Sequence, residues 1–168
     1  CDDGSTVDIS FTFNGLLPWD LTYSNGSVTS TINDIDTSIY FIATTIEGDY
    51  SIILADDIND CVAADTSALA EVKVVINPLP MALIMPNDTT IYLGDEVELS
   101  TGTYMFYEWY NEYDSLISNN STITVQDSCK YKVWVEDENG CTDLSEFAII
   151  RSVPLTQLFI PNSFTPND

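Results

Sequence analysis

Clustered carboxylates are the residues of this sequence whose type and spacing best fit a metal site. Two acidic turns carry them, DDIND at 56–60 and EDEN at 136–139. Calcium binds oxygens from clustered carboxylates and carbonyls, so calcium is a candidate cofactor. The candidate ligands are Asp56, Asp57, Asp60 and Asp137. Neither turn has EF-hand spacing, and Asp and Asn also favour turns because they bond to the local backbone. A polar loop without any cofactor is the competing interpretation.

Aromatic side chains are concentrated in residues 104–113, where an exposed strip would stack against sugar rings. Tyr107 and Trp109 alternate as the core-facing residues of a central strand do, and a β-sandwich needs a buried Trp there. We therefore predict that Tyr107 and Trp109 belong to the core. Tyr110 and Tyr113 are left as candidate surface platforms for a glycan.

Composition limits the remaining chemistry. Histidine is absent, which removes the commonest general base and metal ligand. The sequence has no Gly-x-Ser-x-Gly elbow, phosphate loop or zinc spacing. With 27 acidic residues against 4 basic ones, the net charge of −23 repels nucleic acid. No apolar run is long enough to span a membrane. We predict a protein that is not an enzyme, with no nucleic-acid partner and no membrane span.

The sequence has the pattern of β-strands throughout. Apolar and polar residues alternate along 7–13, 19–23 and 50–54, and Asn-Gly pairs at 14–15 and 25–26 interrupt the pattern. This period of two is typical of half-buried antiparallel strands. Residues 66–75 end in β-branched side chains and are interpreted as a loop followed by a last strand.

The same succession of strands is predicted in both halves of the chain. Asn-Pro-Leu-Pro at 77–80 breaks the pattern, because two closely spaced prolines cannot lie in a central ladder. After it, Val97 and Leu99 match Val7 and Ile9, and the strand with Trp109 matches the strand with Trp19. Each half has the size of a small sandwich. The predicted fold is all-β, with two tandem Ig-like antiparallel β-sandwiches at 1–79 and 80–153.

The last residues, 157–168, resemble the start of the type B, gliding motility-associated C-terminal sorting domain of Bacteroidetes type IX secretion substrates. The matching residues are Pro161, Asn162, Phe164, Thr165, Pro166 and Asn167. The resemblance implies a secreted or cell-surface protein that contacts the secretion machinery through this domain. Residues 154–168 are then a linker and the first residues of the sorting domain. We expect this apolar segment to pack little against the second sandwich, or to add to the strand edge of another chain.

The two halves resemble the Ig-like and PKD-like modules of Bacteroidetes surface proteins and gliding-type adhesins. Leu-Pro-Trp at 17–19 and the closing pattern of residues 131–141 carry this resemblance. It implies a disulfide between Cys1 and Cys61. Cys1 followed by two aspartates also resembles a lipoprotein anchor, which remains a minor alternative.

The second half departs from the module pattern at its cysteines. Tyr92 stands where its opening cysteine is expected, so Cys141 loses its usual partner. A bond from Cys129 to Cys141 would have to span about 20 Å of hairpin, whereas a disulfide needs Cα atoms within about 7 Å. Hairpin geometry argues against this pair, although an irregular turn would permit it.

Two tripeptides, Asp-Thr-Thr at 88–90 and Asp-Ser-Leu at 114–116, resemble the O-glycosylation pattern of Bacteroidetes. The resemblance predicts O-glycans on Thr89 and Ser115, with Thr89 in an exposed loop after the connector. The expected function is a non-catalytic structural or adhesion module, a stalk or spacer of an exported surface protein or filament. Its expected partners are other surface or filament chains. A glycan-binding module that uses exposed aromatics is the alternative.

Overall fold

The computed structural model describes residues 1–59, 61–62 and 71–155, and every regular element among them is a β-strand. None of these residues belongs to a helix long and apolar enough to cross a bilayer. The chain divides into two compact units, Cys1–Pro78 and Leu79–Asp168. This division lies one residue from the predicted boundary between Leu79 and Pro80.

The described residues of unit 1, 1–59, 61–62 and 71–78, form six strands in two sheets. They are β1 (Val7–Thr12), β2 (Trp19–Ser24), β3 (Thr29–Ile35), β4 (Ile39–Thr44), β5 (Gly48–Asp57) and β6 (Val72–Val74). One sheet pairs β1 with β4, and the other has the order β3-β2-β5-β6. All of these pairings are antiparallel.

The core of unit 1 follows from the alternation seen in the sequence. Its buried residues are Ile9, Phe11, Phe13, Trp19, Leu21, Ile35, Tyr50, Ala55 and Val74. Phe13 stacks on Trp19 with ring centroids 5.2 Å apart. A Cβ at Gly15 would overlap the Trp19 ring, so glycine is required where the chain passes the indole. One side chain in two therefore faces inward along β1 and β2, as predicted.

In unit 2, the part that the structure describes, residues 79–155, forms eight strands. They are β7 (Asp88–Tyr92), β8 (Val97–Ser100), β9 (Phe106–Asn111), β10 (Leu116–Ser118), β11 (Thr122–Val125), β12 (Cys129–Glu136), β13 (Thr142–Leu144) and β14 (Ala148–Val153). The larger sheet has the order β10-β9-β12-β14-β7, with β13 also paired to β12, and the smaller sheet pairs β11 with β8. Strand β7 runs parallel to β14, whereas the other pairs are antiparallel.

The core of unit 2 is built around Trp109, whose side chain is 0% exposed. The other buried members are Ala82, Ile84, Leu99, Ile123, Val125, Tyr131, Val133, Val135, Ala148 and Ile150. Tyr131, Val133 and Val135 alternate along β12, so one face of that strand supplies three core side chains.

The strand pairing makes both units Ig-like sandwiches. Strands β1, β2, β3, β4, β5 and β6 correspond in order to β8, β9, β10, β11, β12 and β14, with the same neighbours in each unit. Second and fifth strands lie side by side in one sheet, while first and fourth strands pair in the other, as in an Ig domain. A buried Trp lies on the second of these matched strands in each unit, Trp19 on β2 and Trp109 on β9. The predicted all-β, tandem Ig-like fold is confirmed.

Some predictions fall outside the described residues. Strand β6 ends the first unit within the predicted 66–75 segment, but residues 63–70 are not described. Strand β14 ends at Val153, where the second sandwich was predicted to end. Residues 156–168 are also not described. The sorting motif, Pro161, Asn162, Phe164, Thr165, Pro166 and Asn167, therefore stays a prediction.

Candidate functional site

The two acidic turns share one hydrogen-bonding pattern. After β5, the Asp57 carboxylate accepts the backbone N–H groups of Asn59 (3.0 Å) and Cys61 (3.1 Å). After β12, the Asp137 carboxylate accepts those of Asn139 (2.8 Å) and Cys141 (2.9 Å). In both turns the Asp carboxylate closes the loop by satisfying backbone donors at positions +2 and +4.

This bonding bears on the calcium hypothesis. Desolvation raises the pKa of Asp57, but hydrogen bonds from Asn59, Cys61 and Leu16 outweigh it, so this pKa lies below its ordinary value. The lowered pKa reports a carboxylate already engaged by N–H donors. No group of three or more metal-ligating side chains occurs in the part of the chain that the structure describes, but Asp60 lies outside it. Calcium at Asp56, Asp57, Asp60 or Asp137 stays an untested prediction.

The cysteine prediction needs a correction. Cys61 is an exposed free thiol and Cys129 is a half-buried one, whereas Cys1 and Cys141 are disulfide-bonded. The predicted Cys1–Cys61 bond is therefore wrong. Cys61 lies in the turn that Asp57 closes, and its side chain is exposed there rather than held in the core.

The pair between Cys129 and Cys141 is not formed either. Cys129 opens β12 and pairs with Ile150, while Cys141 directly precedes Thr142, which pairs with Glu136 at the other end of β12. The two cysteines thus lie at opposite ends of one strand, as the hairpin argument required. The Cys129 thiol contacts a Glu112 carboxylate oxygen at 3.6 Å instead.

Thiol labelling checks the corrected assignment. We expect a maleimide to add to two cysteines of the unreduced, denatured chain, Cys61 and Cys129, and to all four after reduction. In the native chain Cys61 should react faster because it is the more exposed of the two. Peptide mapping by mass spectrometry measures both results. A Cys61 peptide recovered only in a disulfide with the Cys1 peptide would restore the pairing that the module resemblance implies.

The aromatic prediction for β9 is confirmed at Trp109, while Tyr107 lies at the margin of the core. Trp109 is buried and its indole N–H donates to the Asn120 carbonyl at 2.8 Å. Tyr107 packs against the same core, partly exposed, and its hydroxyl accepts the Tyr104 N–H at 2.7 Å. Of the surface candidates, Tyr113 is 77% exposed, while Tyr110 is half-buried.

Sequence reasoning missed Trp134, which belongs to the outer face of β12. Because Tyr131, Val133 and Val135 point into the core, the alternation of the strand directs Trp134 outward, and this signal was available in the sequence. In the sheet Trp134 lies beside Glu108 of β9 on one side and Leu144 of β13 on the other.

Two shallow depressions meet at Trp134. One, of about 380 Å³, is also lined by Glu108, Tyr110, Asp114, Lys132 and Leu144. The other, of about 340 Å³, is lined by Glu108, Glu136, Phe106 and further residues of the same face. An indole between carboxylates can stack on the apolar face of a sugar ring while the carboxylates accept its hydroxyls. We call Glu108, Tyr110, Lys132, Trp134 and Glu136 the Trp134 face.

Lys132 and Glu108 of the Trp134 face each have a close polar partner. Lys132 forms an ion pair with Asp114 at 2.6 Å and lies 5.3 Å from the centroid of the Phe147 ring. The Tyr110 hydroxyl donates to the Glu108 carboxylate, and this hydrogen bond is the main reason that the pKa of Tyr110 is raised. The face therefore presents neutral and acidic hydrogen-bonding groups, with its one lysine already neutralised by Asp114.

The two predicted O-glycosylation residues lie in different surroundings. Thr89 is half-buried in β7, in register with Ile150, so its predicted position in an exposed loop is wrong. Ser115 is exposed in the turn between β9 and β10, where its N–H donates to the Asn111 side chain. O-glycosylation itself stays a prediction at both positions, and the turn is more accessible to an enzyme than the strand.

No protein-family model matches the sequence, and no curated protein matches it. Among solved structures, the chain is similar to the N-terminal four Ig domains of Dscam1 isoform 6.9, at 11% sequence identity and a TM-score of 0.39. The match covers 87% of this chain and 41% of that one. A likeness of this degree carries no argument, so the Ig-like assignment rests on the strand pairing.

Proposed function

We propose that the chain is a non-catalytic pair of extracellular modules, a stalk or spacer in an exported surface protein or filament. The repetition of one Ig-like plan carries the proposal, because each copy has its own core and the same Asp-closed turn. A repeated module lengthens a protein without requiring a new fold. Fold alone does not assign a function, so this step belongs to the proposal.

Charge and cysteine chemistry support the extracellular setting. Disulfide-bonded cysteines persist in oxidising compartments, and Cys1 and Cys141 are bonded. A net charge of −23 keeps such a surface soluble and repels anionic polymers. Export by type IX secretion, through the segment that contains Pro161 to Asn167, is the route that we propose. Its partners are the secretion machinery and other surface chains.

The second candidate function is glycan binding, and the Trp134 face is the observation that favours it. Trp134 lies between two depressions with Glu108 and Glu136 beside it, and Tyr110 adds a second ring to the larger depression. Because its carboxylates and the net charge disfavour acidic sugars, the glycan would be a neutral one.

One experiment separates the two functions. In the producing cell, residues 1–155 are replaced by two unrelated sandwiches of equal length, and a second strain carries only Trp134→Ala. A spacer predicts that adhesion, export and surface display survive both changes, since length alone is needed. Glycan binding predicts that both changes abolish adhesion to glycan-coated beads while display is retained. Trp134→Phe is the matched control, because it keeps an aromatic ring for stacking. Loss of adhesion with Trp134→Ala alone would contradict the spacer proposal.

A further inference from the structure

Strand β4 of unit 1 has one paired edge and one open edge. It pairs with β1 in a two-stranded sheet. Among residues 1–59, 61–62 and 71–78, no strand pairs with the other edge of β4. An edge strand presents unpaired N–H and C=O groups to any strand that reaches it. The outer edge of β4 is therefore a template for another strand.

The matching strand of unit 2, β11, also lies at a sheet edge. Residues 79–155 include the segment before β8, and Met85 of that segment forms a bridge with Ser100 of β8. Within the same residues no strand pairs with the outer edge of β11. An open edge at this strand is therefore common to both units.

The register of β1 and β4 identifies the backbone groups on the open edge. The Phe13 N–H donates to the Ser38 carbonyl at 2.8 Å, in the same register as the rest of the ladder. Because hydrogen-bonded pairs alternate along an antiparallel ladder, every second residue after Ser38 also bonds to β1. The residues between them direct their N–H and C=O groups to the open edge, namely Ile39, Phe41 and Ala43.

The same three residues expose an apolar stripe. Ile39 and Phe41 are 49% and 59% exposed, and Ala43 is exposed as well. Beyond Ala43 the apolar surface continues into a depression of about 260 Å³, which Val28 and Ile46 also line. We call Ile39, Phe41 and Ala43 the β4 stripe.

Unit 2 is polar where unit 1 has the β4 stripe. Strands β4 and β11 are aligned by their pairing with the matched residues Ile9 and Leu99. In this alignment Phe41 corresponds to Thr122, and β11 presents Thr122 and Thr124 on the equivalent face. The Ig-like fold by itself therefore does not require apolar side chains on this face.

Charge favours a second copy of the chain as the partner of this edge. Residues 37–46, TSIYFIATTI, contain no charged residue, no proline and no glycine, and β4 pairs with β1 without a bulge. Edge strands are commonly protected by one of these features, and β4 has none of them. A basic partner would be attracted to the acidic surface of a chain of charge −23 rather than to an uncharged strand.

Two β4 strands are complementary to one another in an antiparallel pair. When Phe41 lies opposite Phe41 of the second copy, Ile39 lies opposite Ala43 in both directions. A larger side chain then faces a smaller one, and the two aromatic rings meet at the two-fold axis. All three residues of each copy also contribute their free N–H and C=O groups to the new ladder.

We propose that β4 is a dimerisation strand, and that the β1-β4 sheets of two copies join edge to edge with Phe41 at the two-fold axis. The contact is isologous, so it closes a dimer and leaves no further β4 edge open. This goes beyond the spacer function, which a monomer performs equally well.

Sedimentation of the full chain measures the association. We expect a monomer–dimer equilibrium that shifts toward the dimer at high salt, because copies of charge −23 repel one another. Ala43→Pro removes a donor from the open edge of each copy and spares the ladder to β1, so it should weaken dimerisation by about tenfold or more. Ala43→Ser keeps the N–H and should dimerise as the native chain does.

Phe41→Thr tests the side chains separately from the backbone, because it gives β4 the residue that β11 has. It keeps the N–H but removes the aromatic pair at the axis, so dimerisation should weaken by about tenfold. Phe41 is exposed, so the free energy of unfolding should stay near that of the native chain. Urea unfolding of the variant checks this.

Directed cross-linking tests the register. In a background without the two free thiols, Cys61→Ser with Cys129→Ser, one chain carries Ala43→Cys and another carries Ile39→Cys. Mild oxidation of an equimolar mixture should yield a disulfide-linked dimer, because Cα atoms of a hydrogen-bonded pair lie about 5.5 Å apart. Ala43→Cys alone should not cross-link, since its two cysteines would lie about 13 Å apart along the strands.

Three results would overturn the proposal. The first is a native chain that stays monomeric at high salt and at the highest soluble concentration. The second is dimerisation of Ala43→Pro or of Phe41→Thr that equals that of the native chain. The third is cross-linking of Ala43→Cys alone to the same extent as the mixture, which would show that the copies meet in another way.

Discussion

Replacing Trp109 with alanine should lower the free energy of unfolding of unit 2 by about 3–5 kcal/mol. Trp109 is fully buried between the sheets, so the substitution leaves a large cavity. It also removes the donor that satisfies the Asn120 carbonyl. Urea unfolding followed by circular dichroism measures the change.

Tyr113→Ala is the control for that measurement. Tyr113 is an exposed aromatic just beyond β9, so its removal should change stability by less than about 0.5 kcal/mol. If Trp109→Ala cost as little as Tyr113→Ala, Trp109 would not be a core residue, and the sandwich assignment of unit 2 would be wrong.

Alkaline pH should destabilise unit 2 through Tyr131. Burial raises the pKa of this phenol to about 12, with smaller contributions from Cys129, Asp127 and Glu112. The unfolded value is about 10, so the neutral phenol favours the folded state. This stabilisation is complete below pH 10 and is lost as the pH rises to 12. The free energy of unfolding of unit 2 should therefore fall across this pH range as the phenol ionises in the unfolded chain.

Tyr131→Phe isolates this effect from the other tyrosines. The variant keeps the ring but cannot ionise, so its stability should fall less between pH 9 and pH 12 than that of the native chain. Unfolding by urea at a series of pH values measures the difference between the two proteins. If the free energies of unfolding of the two proteins fell in parallel between pH 9 and pH 12, a raised pKa at Tyr131 would be contradicted.

Much of the fold was accessible to sequence reasoning because the relevant signals are local. Alternation along 7–13 and 19–23 predicted β1 and β2, since a strand that buries one face must alternate. The match of Val97 and Leu99 to Val7 and Ile9 predicted that one plan occurs twice, and the strand pairing has the same order in both units. Trp109 was assigned to the core on the same basis.

The candidate sites were harder because their chemistry depends on residues far apart in the chain. An Asp in a turn can bind a cation or close the loop, and only the contacts of Asp57 and Asp137 reveal that both carboxylates bond to the backbone. Thr89 was expected in a loop because no local feature of the sequence indicates that β7 pairs with β14 in parallel. Trp134 was missed, although alternation along β12 directs it outward.

From the sequence alone we could predict the alternating strands such as β1 and β2, the duplication, the acidic surface and the core position of Trp109, since composition and period-two patterning act within a few residues. Three features emerged only from the fold: Cys61 is free, Trp134 lies between two depressions, and β7 pairs with β14 in parallel. These features depend on which strands become neighbours. Strand pairing depends on the closure of long loops and on the burial of whole sheet faces. Neither is encoded in a short stretch of sequence.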